Sequence, residues 1–165
     1  MDIGIGEKNP TISASLQNPG FLIRRLNQIH LALFAEEASG FDVTPVQYSV
    51  LGAVARQDGR DQSSIAEEIG VDRATLASVA ARLEKARLLR RAISRVDQRQ
   101  KLLYLTAKGK TTLAKMQKYA SRANERVLEP LTLPQQAQFL SLLAILVDGG
   151  NEHARAKLCL GQLTD

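Results

Sequence analysis

Apolar residues recur every three or four positions along most of this chain, a spacing that predicts helices. The strongest such stretch lies at residues 61–106. One helix there places apolar side chains at i, i+3, i+4 and i+7, namely Leu76, Val79, Ala80 and Leu83. A shorter apolar set precedes it, namely Ile65, Ala66 and Ile69. Because Gly70 suits the end of one helix and Asp72 the N-cap of the next, the pattern predicts a helix-turn-helix.

The face of the second helix opposite its apolar stripe carries small and hydrogen-bonding side chains edged by cations. The candidate DNA-binding residues of this face are Arg73, Ala74, Thr75, Ala77, Ser78 and Arg82. Small side chains allow close approach to base edges and arginines bind phosphates, so this face suits a DNA major groove. Capped amphipathic helix pairs also occur in ordinary helical cores, and the turns and apolar positions alone leave both interpretations open.

The segment that follows this helix is strongly basic. Between residues 87 and 101 the six cations are Arg87, Arg90, Arg91, Arg95, Arg99 and Lys101, against the single acid Asp97. A β-hairpin here would project a basic finger from the helices. The alternation of residues 102–105 is blurred and the turn lacks an Asn-Gly or Asp-Gly pair, so the usual signals of a hairpin are incomplete.

Three motifs in this part of the chain resemble the MarR family of winged helix-turn-helix transcription regulators. They are IAEEIGVDRATLASVAARLEKARLL at residues 65–89, DQR at 97–99 and LYLTAKG at 103–109. The family signature couples a D-x-R wing to an L-T-x-x-G helix start. The resemblance implies a homodimer that binds a pseudo-palindromic operator, usually as a repressor. It also implies release of DNA when a small phenolic or other anionic ligand binds.

Two positions depart from the pattern of the resembled family. Arg87 stands where glycine usually follows the recognition helix, so a left-handed backbone there would carry the penalty of a Cβ atom. Ser78 stands where many members have a basic or larger polar residue. The operator sequence of a relative therefore does not transfer to this chain.

The wing supplies the second set of candidate DNA-binding residues, Arg91, Arg95 and Arg99. If the wing enters a minor groove, these arginines would bring positive charge to it. We expect Asp97 to be structural, because pairing with Arg99 or another arginine would hold the wing in shape.

Two helices are predicted before the helix-turn-helix. The first spans residues 19–38 and ends before Gly40. The residues that it is expected to bury are Leu22, Leu26, Ile29 and Leu33. Thr44 and Gln47 then stand in capping-box order, which begins a second helix that continues through Val54.

Two more helices are predicted after the wing. Thr106 is a natural N-cap for a long helix that ends near Pro130, and Thr132 caps another through Val147, which Gly149-Gly150 ends. The apolar residues of this last helix lie almost all round it and are Phe139, Leu140, Leu142, Leu143, Ile145, Leu146 and Val147. A small monomer seldom exposes so much apolar surface, so the pattern predicts a dimer interface rather than a monomer core.

These elements predict a mainly α fold with a small β-hairpin wing, a winged helix-turn-helix with N- and C-terminal dimerisation helices. We expect a single domain over residues 1–165, because this length suits one core. Its parts would be a mobile arm at 1–18, dimerisation helices at 19–56 and 107–165, and a DNA-binding winged helix-turn-helix at 57–106.

The distribution of charge favours a DNA partner. The net charge is +5, and residues 60–110 hold twelve Lys or Arg against six Asp or Glu. The rest of the chain holds ten against eleven, so the positive excess lies near the helix-turn-helix, where phosphate binding requires it. A generic solvated surface would instead scatter its charge.

Cys159 is the single cysteine, so no intrachain disulfide can form and a reducing compartment is expected. Some members of the resembled family sense oxidants through a thiol. The neighbours of Cys159 are leucines, which favours a packed hydrophobe over a reactive thiol. No stretch approaches the ~20 apolar residues of a membrane helix, and the N-terminus lacks a signal-peptide core. We therefore expect a cytoplasmic protein without a membrane partner.

The first two helices carry the candidate ligand-binding residues Arg25, Gln28, His30, Phe34 and Tyr48. An arginine can bind a carboxylate while aromatic side chains flank an apolar ring, so this set favours an aromatic carboxylic acid or its coenzyme A thioester. The hypothesis also draws on the family resemblance. The alternative is that Arg24 and Arg25 are solvated or reach phosphates, and that Phe34 and Tyr48 belong to the core.

The sequence does not favour an enzyme. His30 and His153 stand far apart without cysteine or acidic partners at ligand spacing, and no glycine-rich phosphate loop is present, so no cofactor or metal is expected. We expect a ligand-responsive DNA-binding transcription regulator. The alternatives are a winged-helix module that binds only proteins and a repressor that senses oxidants through its thiol.

Overall fold

The computed structural model describes residues 17–158. Its elements in chain order are α1 (Pro19–Glu37), α2 (Pro45–Arg56), β1 (Arg60–Asp61), α3 (Gln62–Ile69), α4 (Arg73–Lys85), β2 (Leu89–Ile93), β3 (Lys101–Leu105), α5 (Ala107–Leu128), α6 (Leu133–Gly150) and a 3-10 turn (Asn151–His153). The predicted class, mainly helical with a small antiparallel sheet, is confirmed. Cys159 and most of the predicted arm at residues 1–18 lie outside the described residues.

The helices begin at the side chains that the sequence indicated. At the start of α2, the Thr44 N–H donates to Gln47 Oε1 at 2.8 Å and the Gln47 N–H donates to Thr44 Oγ1 at 3.4 Å, which completes the capping box. Asp72 accepts from the Thr75 N–H at 2.8 Å, and Thr106 accepts from the Gly109 N–H at 2.9 Å. These bonds satisfy amide groups that have no partner inside a helix.

The sheet has three antiparallel strands in the order β1-β3-β2. Strands β2 and β3 form the predicted hairpin, in which Arg91 pairs with Leu103. The two-residue strand β1 pairs with β3 through Arg60 and Leu103 and was not predicted. So short a strand shows no alternation in sequence, because alternation needs several residues.

The core lies where α2, α4 and the sheet meet. Its largest fully buried side chains are Val50, Leu51, Val54, Ile65, Leu76, Leu83, Leu89, Leu103 and Met116. The whole apolar stripe predicted for α4 is buried. Burial of this stripe fixes which side of α4 is left to solvent.

In a single chain, the flanking helices differ from the predictions in two respects. In α1, Leu22 and Ile29 are exposed, Leu26 and Leu33 are half-buried, and Phe34 is the side chain that is buried. In a single chain α1 packs mainly on α5, and Phe34 packs on Tyr48 of α2. The last helix continues through both glycines to Gly150, since glycine weakens a helix without blocking its hydrogen bonds.

Helix α6 is the least covered element of the fold. All 18 of its residues are described, and none of them is buried in a single chain. Leu140, Ile145 and Leu146 are 53%, 63% and 66% exposed. An apolar surface of this extent usually marks an interaction site.

Candidate nucleic-acid interface

The solvent face of α4 carries the predicted contact residues together. Arg73, Ala74, Thr75, Ala77, Ser78 and Arg82 are all exposed. The helix starts after Gly70, whose φ of +67° closes the turn, and at Asp72. The Thr75 hydroxyl donates to Asp72 Oδ2 at 2.8 Å, and the hydrogen bond from the Thr75 N–H is the main reason that the pKa of Asp72 lies below its usual value. The first turn of α4 is therefore held firmly while its side chains face solvent.

The tip of the wing is built by Ser94 and Asp97. Ser94 is buried, and its Oγ accepts from the Val96 and Asp97 N–H groups, each at 3.2 Å. Asp97 Oδ1 accepts from the backbone N–H of Arg99 at 2.9 Å. Within residues 17–158 no ion pair joins Asp97 to an arginine side chain, so the expected partner was wrong: this carboxylate closes an Asx turn on the backbone. Sequence reasoning missed Ser94, which belongs to no motif.

The three wing arginines have different surroundings. Arg95 and Arg99 are exposed, as a phosphate contact requires. Arg91 is half-buried, and its Nε donates to Glu84 Oε2 at 2.7 Å. Its guanidinium is therefore paired within the protein, and the assignment of Arg91 to a DNA contact stays a prediction.

A small hollow of about 150 Å³ lies between the wing and the start of α3. Its lining residues are Asp61, Gln62, Ser63, Arg73, Arg99, Gln100 and Lys101. It brings together cations from α4 and the wing that are distant in sequence. Among the described residues, Gln62 Nε2 is buried there without a hydrogen-bond partner. Lys101 and Gln62 were not predicted as site residues, since neither belongs to the recognised motifs.

The start of α5 holds the turn between α4 and β2. The Thr106 hydroxyl donates to Arg87 O at 2.7 Å, and Lys108 Nζ donates to Ala86 O at 2.9 Å. Arg87 has φ of +61°, so the predicted left-handed position is confirmed for a residue with a Cβ atom. At Gly109, a Cβ atom would lie only 2.0 Å from Leu88 O. The wing and α4 are thus attached to the long helix that leads away from them.

The candidate ligand residues fall into two groups. The ring centroids of His30 and Phe34 lie 6.5 Å apart, and those of Phe34 and Tyr48 lie 6.1 Å apart. Phe34 is buried, whereas Tyr48 is half-buried. Arg25 and Gln28 are exposed and bond to each other, with 3.4 Å from Arg25 Nη1 to Gln28 Oε1.

Tyr48 also lines a cleft of about 530 Å³ between α2, α5 and the end of β3. The other lining residues are Gly52, Ala55, Asp58, Leu105, Lys110, Leu113, Ala114 and Gln117. Lys110 Nζ lies 3.4 Å from Asp58 Oδ2, and Asp58 Oδ1 accepts from the Leu105 N–H at 3.3 Å. The cleft therefore offers one aromatic side chain, several apolar side chains and a cation that is paired with Asp58. Its cation was missed because Lys110 is distant in sequence from the first two helices.

Residues 17–158 hold no candidate metal site and no single helix that could span a membrane. No group of three or more His, Cys, Asp or Glu side chains there could hold a metal ion. No single helix in this part of the chain is long and apolar enough to cross a membrane. The helices at Ala107–Leu128 and Leu133–His153, which meet at 101°, are together long and apolar enough to cross a membrane by length and composition only.

Comparison with known proteins places this arrangement in a family. The sequence profile described as MarR family matches residues 41–100. The transcriptional regulator HosA of Escherichia coli is 33% identical over 130 residues, which cover 78% of this chain and 95% of HosA. The chain belongs to the MarR family.

Solved structures of MarR-family proteins match the same fold. The PcaV transcriptional regulator from Streptomyces coelicolor, in complex with its natural ligand, has 36% identity and a TM-score of 0.75, over 79% of this chain and 92% of PcaV. The transcriptional repressor CouR, bound to a 23-mer DNA duplex, has 30% identity and a TM-score of 0.74, over 86% and 99% of the two chains. This MarR-family protein is a DNA-binding transcriptional regulator and not an enzyme.

Proposed function

We propose that this regulator is a cytoplasmic homodimeric repressor that binds an inverted-repeat operator and leaves it when an aromatic carboxylic acid, or its coenzyme A thioester, binds. The observation that carries the DNA part is the division of α4 into a buried apolar stripe and a polar, cationic face open to solvent. A helix held by one face and exposed on the other is suited to lie in a major groove.

In this proposal, α4 reads bases and the wing binds the phosphate backbone. The small residues Ala74, Ala77 and Ser78 let the helix approach base edges. Arg73 and Arg82 flank them and meet phosphates, while Arg95 and Arg99 bring positive charge to the neighbouring minor groove. Both wing arginines are exposed, which supports this assignment.

Two substitutions separate these roles. Arg99→Ala should weaken binding to every duplex and reduce the slope of log K against log salt concentration by about 0.9, because one phosphate contact is lost. Ser78→Ala should change the preferred sequence with little change in that slope. Fluorescence anisotropy with the duplex that the wild-type protein selects from a randomised library measures both. An Arg99→Ala protein with unchanged affinity and slope would remove the wing from DNA binding.

The dimer proposal rests on the apolar surface of residues 19–56 and 107–158. Helix α6 has no buried residue in a single described chain, and Leu22 and Ile29 of α1 are also exposed. A second copy that covers both faces would remove them from water. Two α4 helices in successive major grooves then predict half-site centres about 10 bp, or ~34 Å, apart. Footprinting that showed one asymmetric half-site bound by a monomer would contradict this geometry.

For the effector, we propose a site at Tyr48, where the cluster of aromatic rings adjoins the cleft. The cleft volume of about 530 Å³ lies in the range of small-molecule sites. Tyr48 offers a wall for an aromatic ring, and Lys110 offers a cation for its carboxylate. His30 packs on Phe34, the buried Phe34 packs on Tyr48, and Arg25 is the second candidate cation. The PcaV complex with its natural ligand supports a ligand-responsive role.

Binding at this site would weaken DNA binding by favouring a spacing of the two α4 helices that misses successive grooves. A tenfold weakening requires about 1.4 kcal/mol of preference for that state. Since Asp58 bonds to Lys110 and also to the backbone of Leu105, a carboxylate that draws Lys110 away would act on the strand that forms the wing. The cleft and the DNA-binding face are thereby connected.

A thermal-shift screen of aromatic acids and their thioesters, followed by DNA release with each hit, tests the effector. Tyr48→Ala should abolish the ligand-induced shift, while Tyr119→Ala, which removes a ring of α5 paired with Phe41, should retain it. Lys110→Met and Arg25→Met then tell which cation holds the carboxylate. If no such compound stabilises the protein or releases DNA, while oxidants that act on Cys159 do, the effector proposal is wrong and a thiol sensor replaces it.

A further inference from the structure

Glu84 and Arg91 join the two parts of the structure proposed to contact DNA. Glu84 lies in the last turn of α4, and Arg91 lies in the middle of β2. Glu84 Oε1 accepts from the Arg91 backbone N–H at 3.1 Å, and Glu84 Oε2 accepts from Arg91 Nε at 2.7 Å. Arg91 Nη2 also contacts Glu84 Oε2. One carboxylate thus binds both the backbone and the side chain of a wing residue.

The position of β2 explains why this contact is available. The strand order β1-β3-β2 leaves β2 at the edge of the sheet, where one row of its backbone groups has no strand partner. The Arg91 N–H points to that outer side and donates a hydrogen bond to Glu84 there. Hydrogen bonding by Arg91 is also the main reason that the pKa of Glu84 lies below its usual value, so Glu84 is charged at neutral pH.

The Glu84–Arg91 contact connects two elements that are also neighbours in the chain. Covalently, α4 and β2 are joined only by the short turn at residues 86–88, which contains the left-handed Arg87. The Glu84–Arg91 pair is a second connection between the same two elements. Both side chains are about one-third exposed, at 35% and 32%, so water screens the pair only in part.

We propose that Glu84 and Arg91 are positioning residues that fix the wing relative to α4, so that both meet DNA in one arrangement, and that Arg91 itself does not bind a phosphate. The inference rests on the proposed use of α4 and the wing on DNA. A recognition helix and a wing held at a fixed distance lose less conformational freedom on binding than two parts that move independently. Breaking the pair therefore weakens specific binding without removing a DNA contact.

Salt dependence distinguishes positioning from phosphate binding. Arg91→Ala should lower affinity for the library-selected duplex about tenfold and leave the salt slope unchanged, whereas Arg95→Ala should reduce the slope by about 0.9. Glu84→Ala should also lower specific affinity about tenfold, although it removes a negative charge that repels DNA. Since each variant breaks the same Glu84–Arg91 connection, the double variant should bind the selected duplex no more than about tenfold more weakly than wild type.

Two further measurements keep the test decisive if an alanine variant folds poorly. Glu84→Gln keeps an acceptor for the Arg91 N–H, so it should retain more specific affinity than Glu84→Ala. Affinity for poly(dI-dC), which has no operator, should fall less than specific affinity in both alanine variants. A loss of folded protein would instead lower both affinities equally.

The inference is overturned if Arg91→Ala reduces the salt slope as Arg95→Ala does, if the two alanine effects add, or if Glu84→Ala raises specific affinity. Unchanged specific affinity in either alanine variant overturns it as well. If Arg95→Ala and Arg99→Ala both leave the slope unchanged, the proposed role of the wing fails first. The experiment therefore separates failure of this inference from failure of the proposed function.

Discussion

Gly109→Ala tests how closely the long helix α5 is attached to the winged helix-turn-helix. An alanine Cβ atom at this position would lie 2.0 Å from Leu88 O, 3.0 Å from Leu88 C and 3.2 Å from Leu105 Cδ2. The nearest atom belongs to the backbone and cannot rotate away. Helix α5 would have to move outward from the α4–β2 turn by roughly 1 Å or more, an overpacking of the kind that costs about 1–3 kcal/mol.

That movement also weakens hydrogen bonds. Leu88 O accepts from the Thr106 N–H at 3.1 Å, and the single proton of the Thr106 hydroxyl is shared between Arg87 O at 2.7 Å and Leu88 O at 3.1 Å. A hydrogen bond contributes about 1 kcal/mol net, so loss of one of them adds to the overpacking cost. The higher helix propensity of alanine offsets only about 0.5–1 kcal/mol of this loss of stability. We expect a net destabilisation of about 2–3 kcal/mol, or a fall in Tm of roughly 5–10 °C for a chain of this size.

Circular dichroism melting at a fixed protein concentration measures the effect. Gly52→Ala is the matched control, because Gly52 lies inside α2 and its added Cβ atom would lie 3.9 Å from the mobile end of Arg56. That variant should be neutral or more stable than wild type by about 0.5–1 kcal/mol. A Gly109→Ala protein that melts within 1–2 °C of wild type, at roughly a half kcal/mol, would refute the attachment of α5 to this turn.

Three further substitutions have defined outcomes. Arg87→Gly should raise the free energy of unfolding by about 1 kcal/mol in urea titrations, because glycine adopts φ of +61° without strain; a loss of stability would mean that the Arg87 side chain contributes more than its backbone costs. Asp72→Ala removes the N-cap of α4 and should cost about 1 kcal/mol in the same titration, and an unchanged midpoint would show that the cap is dispensable. Burial alone would raise the pKa of Glu68, but hydrogen bonds from Arg56 and Arg60 lower it below its ordinary 4.5. Charged Glu68 therefore stabilises the fold above pH 4.5, and this stabilisation is lost as the pH falls through the lower pKa of the folded state. The Tm difference between wild type and Glu68→Gln should then shrink in acid. A constant difference would contradict the pairing.

The helix-turn-helix could be predicted because its signals are local. Asp72 caps α4, which begins beside it, and Gly70 takes the left-handed conformation that ends α3. The unusual backbone at Arg87 was also foreseen, since the resembled family places a glycine there. At Asp72 and Gly70 the residue and the helix end that it forms are adjacent in sequence, whereas the Arg87 prediction came from the family resemblance.

The errors concern contacts that depend on the assembled fold. The periodicity of α1 shows an apolar face but not the neighbour that covers it, and in one chain Phe34 is buried whereas Leu22 is exposed. Glu84 and Arg91 pair only because the turn between them reverses the chain at the edge of the sheet. The cleft likewise joins Tyr48 to Lys110 across two helices, which no local pattern reveals.

Because α6 presents its leucines and isoleucine to water in a single chain, the folded state of the proposed dimer is linked to protein concentration. Each tenfold dilution removes about 1.4 kcal/mol of stability from a dimer relative to its unfolded chains. A scarce regulator is then closer to unfolding than an abundant one. If operator DNA binds only paired subunits, as proposed, it would draw chains back into the folded form, and an occupied operator would protect its regulator from proteolysis.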